Sequence, residues 1–166
     1  MRVPIRKGDE YTHLKPDPHM TQAKYDELKA KLDRLQNVTR FRWMKETAVN
    51  AEGGDFSENA GYQAAKAKLR GINEAILQIQ EHLKRAIIIE ARDASDGVQL
   101  GSRVAVRLDG VVKIYTILGS SEIDLANNII SHNSPLGAAF LGRRVGEKFN
   151  IKPGSKTMEC EILEIV

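Results

Sequence analysis

From Tyr62 to Ala86 the apolar residues recur at alternating steps of three and four: Tyr62, Ala65, Leu69, Ile72, Ile76, Ile79, Leu83 and Ala86. That spacing is the a/d seam of a coiled coil, and a seam of this length must be covered by a second helix. The preceding residues supply one. Tyr25, Leu28, Leu32 and Leu35 follow a 3-4-3 pattern, after which Val38, Phe41 and Met44 continue at steps of three. Such a slip of phase locally distorts a coiled coil. Thr21, placed after Pro18, is a candidate helix cap, which predicts a helix from about there to about Asn50, roughly 45 Å long. Between the two helical patterns stand Gly53 and Gly54, which let the chain reverse. We read residues 20–88 as an antiparallel helical hairpin with its tip at residues 52–58. A homodimeric coiled coil is the rival arrangement, and the glycine turn favours the hairpin and a monomer.

The tip reads Gly53-Gly54-Asp55-Phe56-Ser57-Glu58-Asn59-Ala60. Asp55 followed three residues later by Glu58 fits a capping box, and both acids suit the positive end of a helix dipole. The same pair has a second reading. Carboxylates at i and i+3 can share one hard cation such as Mg²⁺. Two ligands are too few to hold it tightly, so another molecule would have to complete the shell. Capping and metal ligation are both open from the residues alone.

The remaining chain divides around the hairpin. Residues 1–19 carry Pro4, Pro16 and Pro18 and no apolar period, so they read as an irregular basic tail. Residues 89–100 are short and polar, a linker. Over residues 101–166 the apolar period becomes two. Val104, Val106 and Leu108 alternate up to Asp109-Gly110, a strong hairpin turn; Val112, Ile114 and Ile117 follow, and Met158, Cys160 and Ile162 make a last strand. Ser134 as cap, Pro135 at the first helical position and Gly142 after the end define one short helix. The expected fold class is α+β, a coiled-coil hairpin followed by a small antiparallel sheet domain with one short helix.

Charge and cysteine usage narrow the setting. Met1–Ile88 holds 16 basic and 12 acidic residues, against 9 and 10 beyond it, so the front half is the side that a polyanion would meet. Arg40, Arg42 and Lys45 before the tip, and Lys66, Lys68 and Arg70 after it, would come level in an antiparallel hairpin. They form a basic belt that could meet a polyanion, although solvated helix faces are commonly charged too. A single cysteine, Cys160, permits no internal disulfide and fits a reducing cytoplasm. No apolar run approaches membrane-spanning length. The four histidines, His13, His19, His82 and His132, show no metal-ligand spacing, so no zinc site is expected.

Two motifs resemble one family. Gly54-Asp55-Phe56-Ser57-Glu58-Asn59-Ala60-Gly61-Tyr62 is similar to the signature of the bacterial Gre transcript-cleavage factors, GreA/GreB type. Ile130-Ser131-His132-Asn133-Ser134-Pro135-Leu136-Gly137, with Leu141-Gly142 and Val145-Gly146, resembles that family's C-terminal block. The likeness covers residues 20–166. It departs at Arg40-Phe41-Arg42, where many members carry Arg-Pro-Glu. The resemblance implies an FKBP-like C-terminal domain docking outside RNA polymerase, with Ser134 and Pro135 facing the enzyme, and a hairpin entering its secondary channel. It further implies that Asp55 and Glu58 help hold a Mg²⁺ shared with the polymerase active site, where the nascent RNA 3′ end of a backtracked complex is cut. Phe56, Ser57 and Asn59 would sit at the tip. On this reading the chain is an accessory factor, not itself an enzyme. A non-catalytic Gre-like channel binder is the alternative, and the retained acids argue against it. A prolyl isomerase would need an aromatic-lined pocket, for which the C-terminal residues offer only Tyr115, Phe140 and Phe149. A plain RNA-binding coiled coil would need regular base-stacking side chains, which the hairpin lacks.

Overall fold

A computed structural model describes residues 16–52, 59–90, 97–152 and 157–166. Thr21 caps the first helix as expected: its Oγ1 accepts a hydrogen bond from the Lys24 N–H at 3.2 Å. Helix α1 runs Gln22–Arg34, passes through a π-helical turn at Leu35–Thr39, and resumes as α2, Arg40–Ala51. The Arg40 N–H reaches back five residues to the Leu35 carbonyl. An extra residue in one turn rotates everything beyond it by roughly 100°. This is where the apolar phase slips in the sequence, and the rotation settles which side turns inward. The partly covered positions become Gln36, Thr39, Trp43, Thr47 and Asn50. Val38, Phe41 and Met44, which the spacing placed on the seam, are turned out, 62%, 56% and 48% exposed.

Helix α3, Ala60–Lys84, packs against α1 and α2 to make the hairpin. All seven of its 3-4 positions are buried or partly covered, with Ala65, Ile72 and Ile76 the most deeply placed, and Ala86, the last of the series, is partly covered just beyond the helix. At the foot, two short strands, β1 (His19–Met20) and β2 (Ile87–Ile88), pair in parallel and close the hairpin.

The C-terminal sheet has five strands in the order β5-β4-β3-β7-β6, formed by β3 (Arg103–Leu108), β4 (Val111–Leu118), β5 (Ile129–Ser131), β6 (Lys148–Ile151) and β7 (Met158–Ile165). Asp109 and Gly110 make the two-residue turn between β3 and β4 with positive φ at both positions, 46° and 86°. A primed turn of this kind matches the twist of the flanking strands. Val104, Val106 and Leu108 face the core, as their alternation requires.

The sheet is mixed, not wholly antiparallel. β5 lies parallel to β4, because the chain leaving β4 turns through a short 3₁₀ helix at Ser120–Glu122 and travels back before pairing. β5 and β6 are only three and four residues long and carry little alternation to read. Helix α4 (Pro135–Phe140) covers the core, with Ser134 Oγ accepting from the Gly137 N–H at 3.0 Å. Fully buried Phe140 sits between Tyr115 and Phe149, ring centroids 5.9 and 6.2 Å away.

Candidate functional site

The far end of the hairpin is built by three residues. Asn59 caps α3: its Oδ1 accepts from the Tyr62 N–H at 3.0 Å, while its Nδ2 donates to the Asn50 carbonyl at 2.6 Å. One side chain thus starts one helix and ties it to the end of the other. Gly61 lets them approach, since a Cβ there would stand 2.7 Å from Asn50 Oδ1. The cap that the sequence offered to Asp55 is therefore held by Asn59. Asp55, Phe56, Ser57 and Glu58 themselves lie outside the described residues. What is described is their frame: the chain leaves α2 at Ala51 and enters α3 at Ala60, with the two ends clasped. The clasp closes the far end of a stalk about 40 Å long.

Below the tip, Arg40, Arg42, Lys45, Lys66, Lys68 and Arg70 are all exposed, and none forms an ion pair with a described residue. Lys45 Nζ lies 4.9 Å from the Phe41 ring centroid and Lys66 Nζ 5.7 Å from that of Tyr62. Each helix thus carries a lysine held over an aromatic face, which orders the ammonium while leaving its charge uncompensated.

At the sheet domain, Pro135 is exposed and Ser134 partly covered. The Ser134 hydroxyl is used twice within the fold, donating to the Ser131 carbonyl at 2.6 Å and accepting from Gly137. Pro135 is thus the member of the pair with surface to offer. The aromatic trio Tyr115, Phe140 and Phe149 packs on itself at the core.

A fourth grouping was not legible in the sequence. Asp17 and His19, assigned to the tail, are built into the joint between hairpin and sheet. Asp17 Oδ2 accepts from the Ser120 N–H at 2.7 Å, and Asp17 Oδ1 lies 2.9 Å from His19 Nδ1. His132, from the loop after β5, faces the same carboxylate with Nδ1 at 3.4 Å. Burial pushes the Asp17 carboxyl up, but the Ser120 amide, the His19 contacts and the charge of His132 outweigh it and hold the group below its usual value. Beside it, Thr21 donates from its N–H (2.8 Å) and hydroxyl (2.5 Å) to the Glu122 carboxylate. Gly119 is indispensable here, because any Cβ would overlap the His19 carbonyl oxygen at 1.8 Å.

Comparison with known proteins adds the following. Residues 19–88 match the family described as "Transcription elongation factor, N-terminal", and residues 93–166 match "Transcription elongation factor, GreA/GreB, C-term". The chain is 38% identical over 149 residues to transcription elongation factor GreA of Thermodesulfovibrio yellowstonii, covering 88% of this chain and 94% of that one. It is 36% identical over 150 residues to GreA of Chloroflexus aggregans, covering 89% and 96%. Among solved structures it is similar to GreA factor homolog 1 (Gfh1) of Thermus thermophilus, at 26% identity, 89% and 97% coverage and a TM-score of 0.40.

Proposed function

The chain belongs to the GreA/GreB family of transcription elongation factors, and from that premise we propose that it stimulates cleavage of the nascent RNA 3′ end in backtracked RNA polymerase. The hairpin enters the secondary channel as a monomeric stalk, and the sheet domain docks outside it through the surface around Pro135. The observation that carries this reading is the clasp of Asn59 and Gly61 on Asn50, which ties together the two helix ends that flank Asp55 and Glu58 in the sequence. That Asn59 takes the helix cap supports a role for the acids other than capping.

Two carboxylates are hard oxygen donors of the kind Mg²⁺ prefers, and too few to hold it without the polymerase's own ligands. Bound there, such an ion supplies water activation and stabilisation of the leaving oxygen in an in-line displacement. The chain itself contributes the two acids, their placement at the stalk end, and an exposed belt of six cations beneath them. It is an accessory factor working in the cytoplasm, and the catalytic centre is the polymerase's.

The test is Asp55→Asn in a stalled, backtracked transcription complex. The variant should compete for polymerase like the parent and fail to stimulate cleavage, with partial rescue at raised Mg²⁺ because weaker ligation is offset by mass action. Glu58→Gln should follow it. Full stimulation by Asp55→Asn at low Mg²⁺ would remove the metal-ligand role. A parent protein that binds polymerase without stimulating cleavage would place the chain among non-catalytic channel binders instead.

A further inference from the structure

The joint gathers two imidazoles and a carboxylate from opposite ends of the chain. One ligand atom from each of Asp17, His19 and His132 lies within 4.8 Å of the other two. The three side chains are largely shielded, at 7%, 34% and 17% exposure. Among the described residues this is the one group of three or more His, Cys, Asp or Glu side chains so arranged.

The distances suit a shared ion. A tetrahedral centre with bonds of about 2.0–2.1 Å separates neighbouring ligand atoms by about 3.3 Å. Here the carboxylate meets one imidazole with each oxygen, Asp17 Oδ1 lying 2.9 Å from His19 Nδ1 and Asp17 Oδ2 3.4 Å from His132 Nδ1. His132 Nδ1 is the telling atom. Its two neighbours, Asp17 Oδ2 and the Leu118 carbonyl, are both at 3.4 Å, beyond good hydrogen-bond length for a shielded ring nitrogen. The two rings stand edge to face, with centroids 5.3 Å apart and planes at 80°. Around the three lies an orienting shell. The Ser120 and His19 amides fix the Asp17 carboxylate, and His82 Nε2 bonds the Asp17 carbonyl at 3.0 Å. Backbone and imidazole partners of this kind fix first ligands at metal centres.

We propose that Asp17, His19 and His132 form a Zn²⁺ site that ties the N-terminal arm to the sheet domain at the foot of the hairpin. Two imidazole nitrogens and a carboxylate oxygen are a donor set for zinc, with water as the fourth ligand. Two of the ligands come from the arm and one from the loop after β5, so the ion would fix how the stalk is set on the sheet domain. The site is independent of the tip chemistry.

The test starts from full-length protein stripped with a chelator and titrated with Zn²⁺ or Co²⁺. One Zn²⁺ should bind per chain. At a hundredfold excess over Kd the melting temperature should rise by about 5–10 °C. Co²⁺ should give visible bands of a four-coordinate centre, with shifted ring-proton signals from His19 and His132. His132→Gln should weaken binding at least about 100-fold, while its metal-free melting temperature stays near the parent's. If that variant does not fold, the parent's Co²⁺ spectrum and the identity of the shifted histidines decide alone. Unchanged melting with Zn²⁺, absence of four-coordinate bands, or shifted signals from His13 or His82 alone would overturn the proposal.

Discussion

Asn59 offers a way to measure how the tip is held, because its two hydrogen bonds can be removed separately. Asn59→Ala deletes both. The lost cap costs about 1 kcal/mol, and the lost bond to the Asn50 carbonyl about another 1 kcal/mol. The expected destabilisation is therefore about 2 kcal/mol. Asn59→Asp keeps the acceptor for the Tyr62 N–H and adds negative charge at the helix N-terminus, a gain of about 0.3–1 kcal/mol. It also replaces the donor 2.6 Å from the Asn50 carbonyl with a carboxylate oxygen, so the interhelical bond becomes a repulsion. Its net cost should fall between parent and Asn59→Ala, near 1 kcal/mol. Urea unfolding followed by helical circular dichroism should rank parent, then Asn59→Asp, then Asn59→Ala. Both variants keep Asp55 and Glu58, yet cleavage stimulation by Asn59→Ala should drop by about tenfold or more, since small misplacements at a reacting centre are costly. An Asn59→Ala protein within 0.5 kcal/mol of the parent would refute the clasp. Equal losses in the two variants would refute the separate capping term.

Three further outcomes are expected. Reversing charge in the belt, as in Arg42→Glu with Lys66→Glu, should weaken crosslinking to extruded RNA and flatten its salt dependence by about 0.7 in log–log slope per lost phosphate contact; unchanged crosslinking would leave these residues as a solvated face. Pro135→Ala should cost less than about 1 kcal/mol, because Ser134 still caps α4, yet reduce polymerase binding in a competition assay; equal competition would remove the docking role. Burial, with Asp109 nearby, pushes the Cys160 thiol up to about 11. The unfolded thiol ionises first as pH rises, so stability should be whole below pH 9 and fall by about 1.4 kcal/mol per pH unit from there to about 11. The loss should be absent in Cys160→Ala when urea midpoints at pH 8 and 10 are compared, and an equal loss in both proteins would refute it.

Periodic features were legible in the sequence, and contacts between distant segments were not. The seven seam positions of α3, the Thr21 and Ser134 caps and the Asp109-Gly110 turn follow from local rules, because each is decided within a few residues. The stripe Val38, Phe41 and Met44 was misplaced for a definable reason. Its phase shift was visible, but a π-helical turn can resolve such a shift to either side, and only packing against α3 chooses. The tip motif located the far end of the hairpin, while the cap of α3 falls to Asn59, since Asn serves as well as Asp and lies next to the helix it starts. The cluster of Asp17, His19 and His132 had no sequence signal at all. His132 lies more than a hundred residues beyond Asp17 and His19, and the three meet because Gly119 lets the arm pass over the sheet domain.

That crossing at Gly119 sets the order in which the molecule can be completed during synthesis. The arm emerges from the ribosome before the elements it binds, and β1 can pair once Ile87 and Ile88 have followed. Its remaining partners, Ser120, Glu122 and His132, are made last but for the final strands. Until they appear, the hairpin must stand on its own seam with Asp17, His19 and Thr21 still waiting for their far-side partners. The seam residues Ile72, Ile76, Ile79 and Leu83 of α3 are the part that has to hold during that interval.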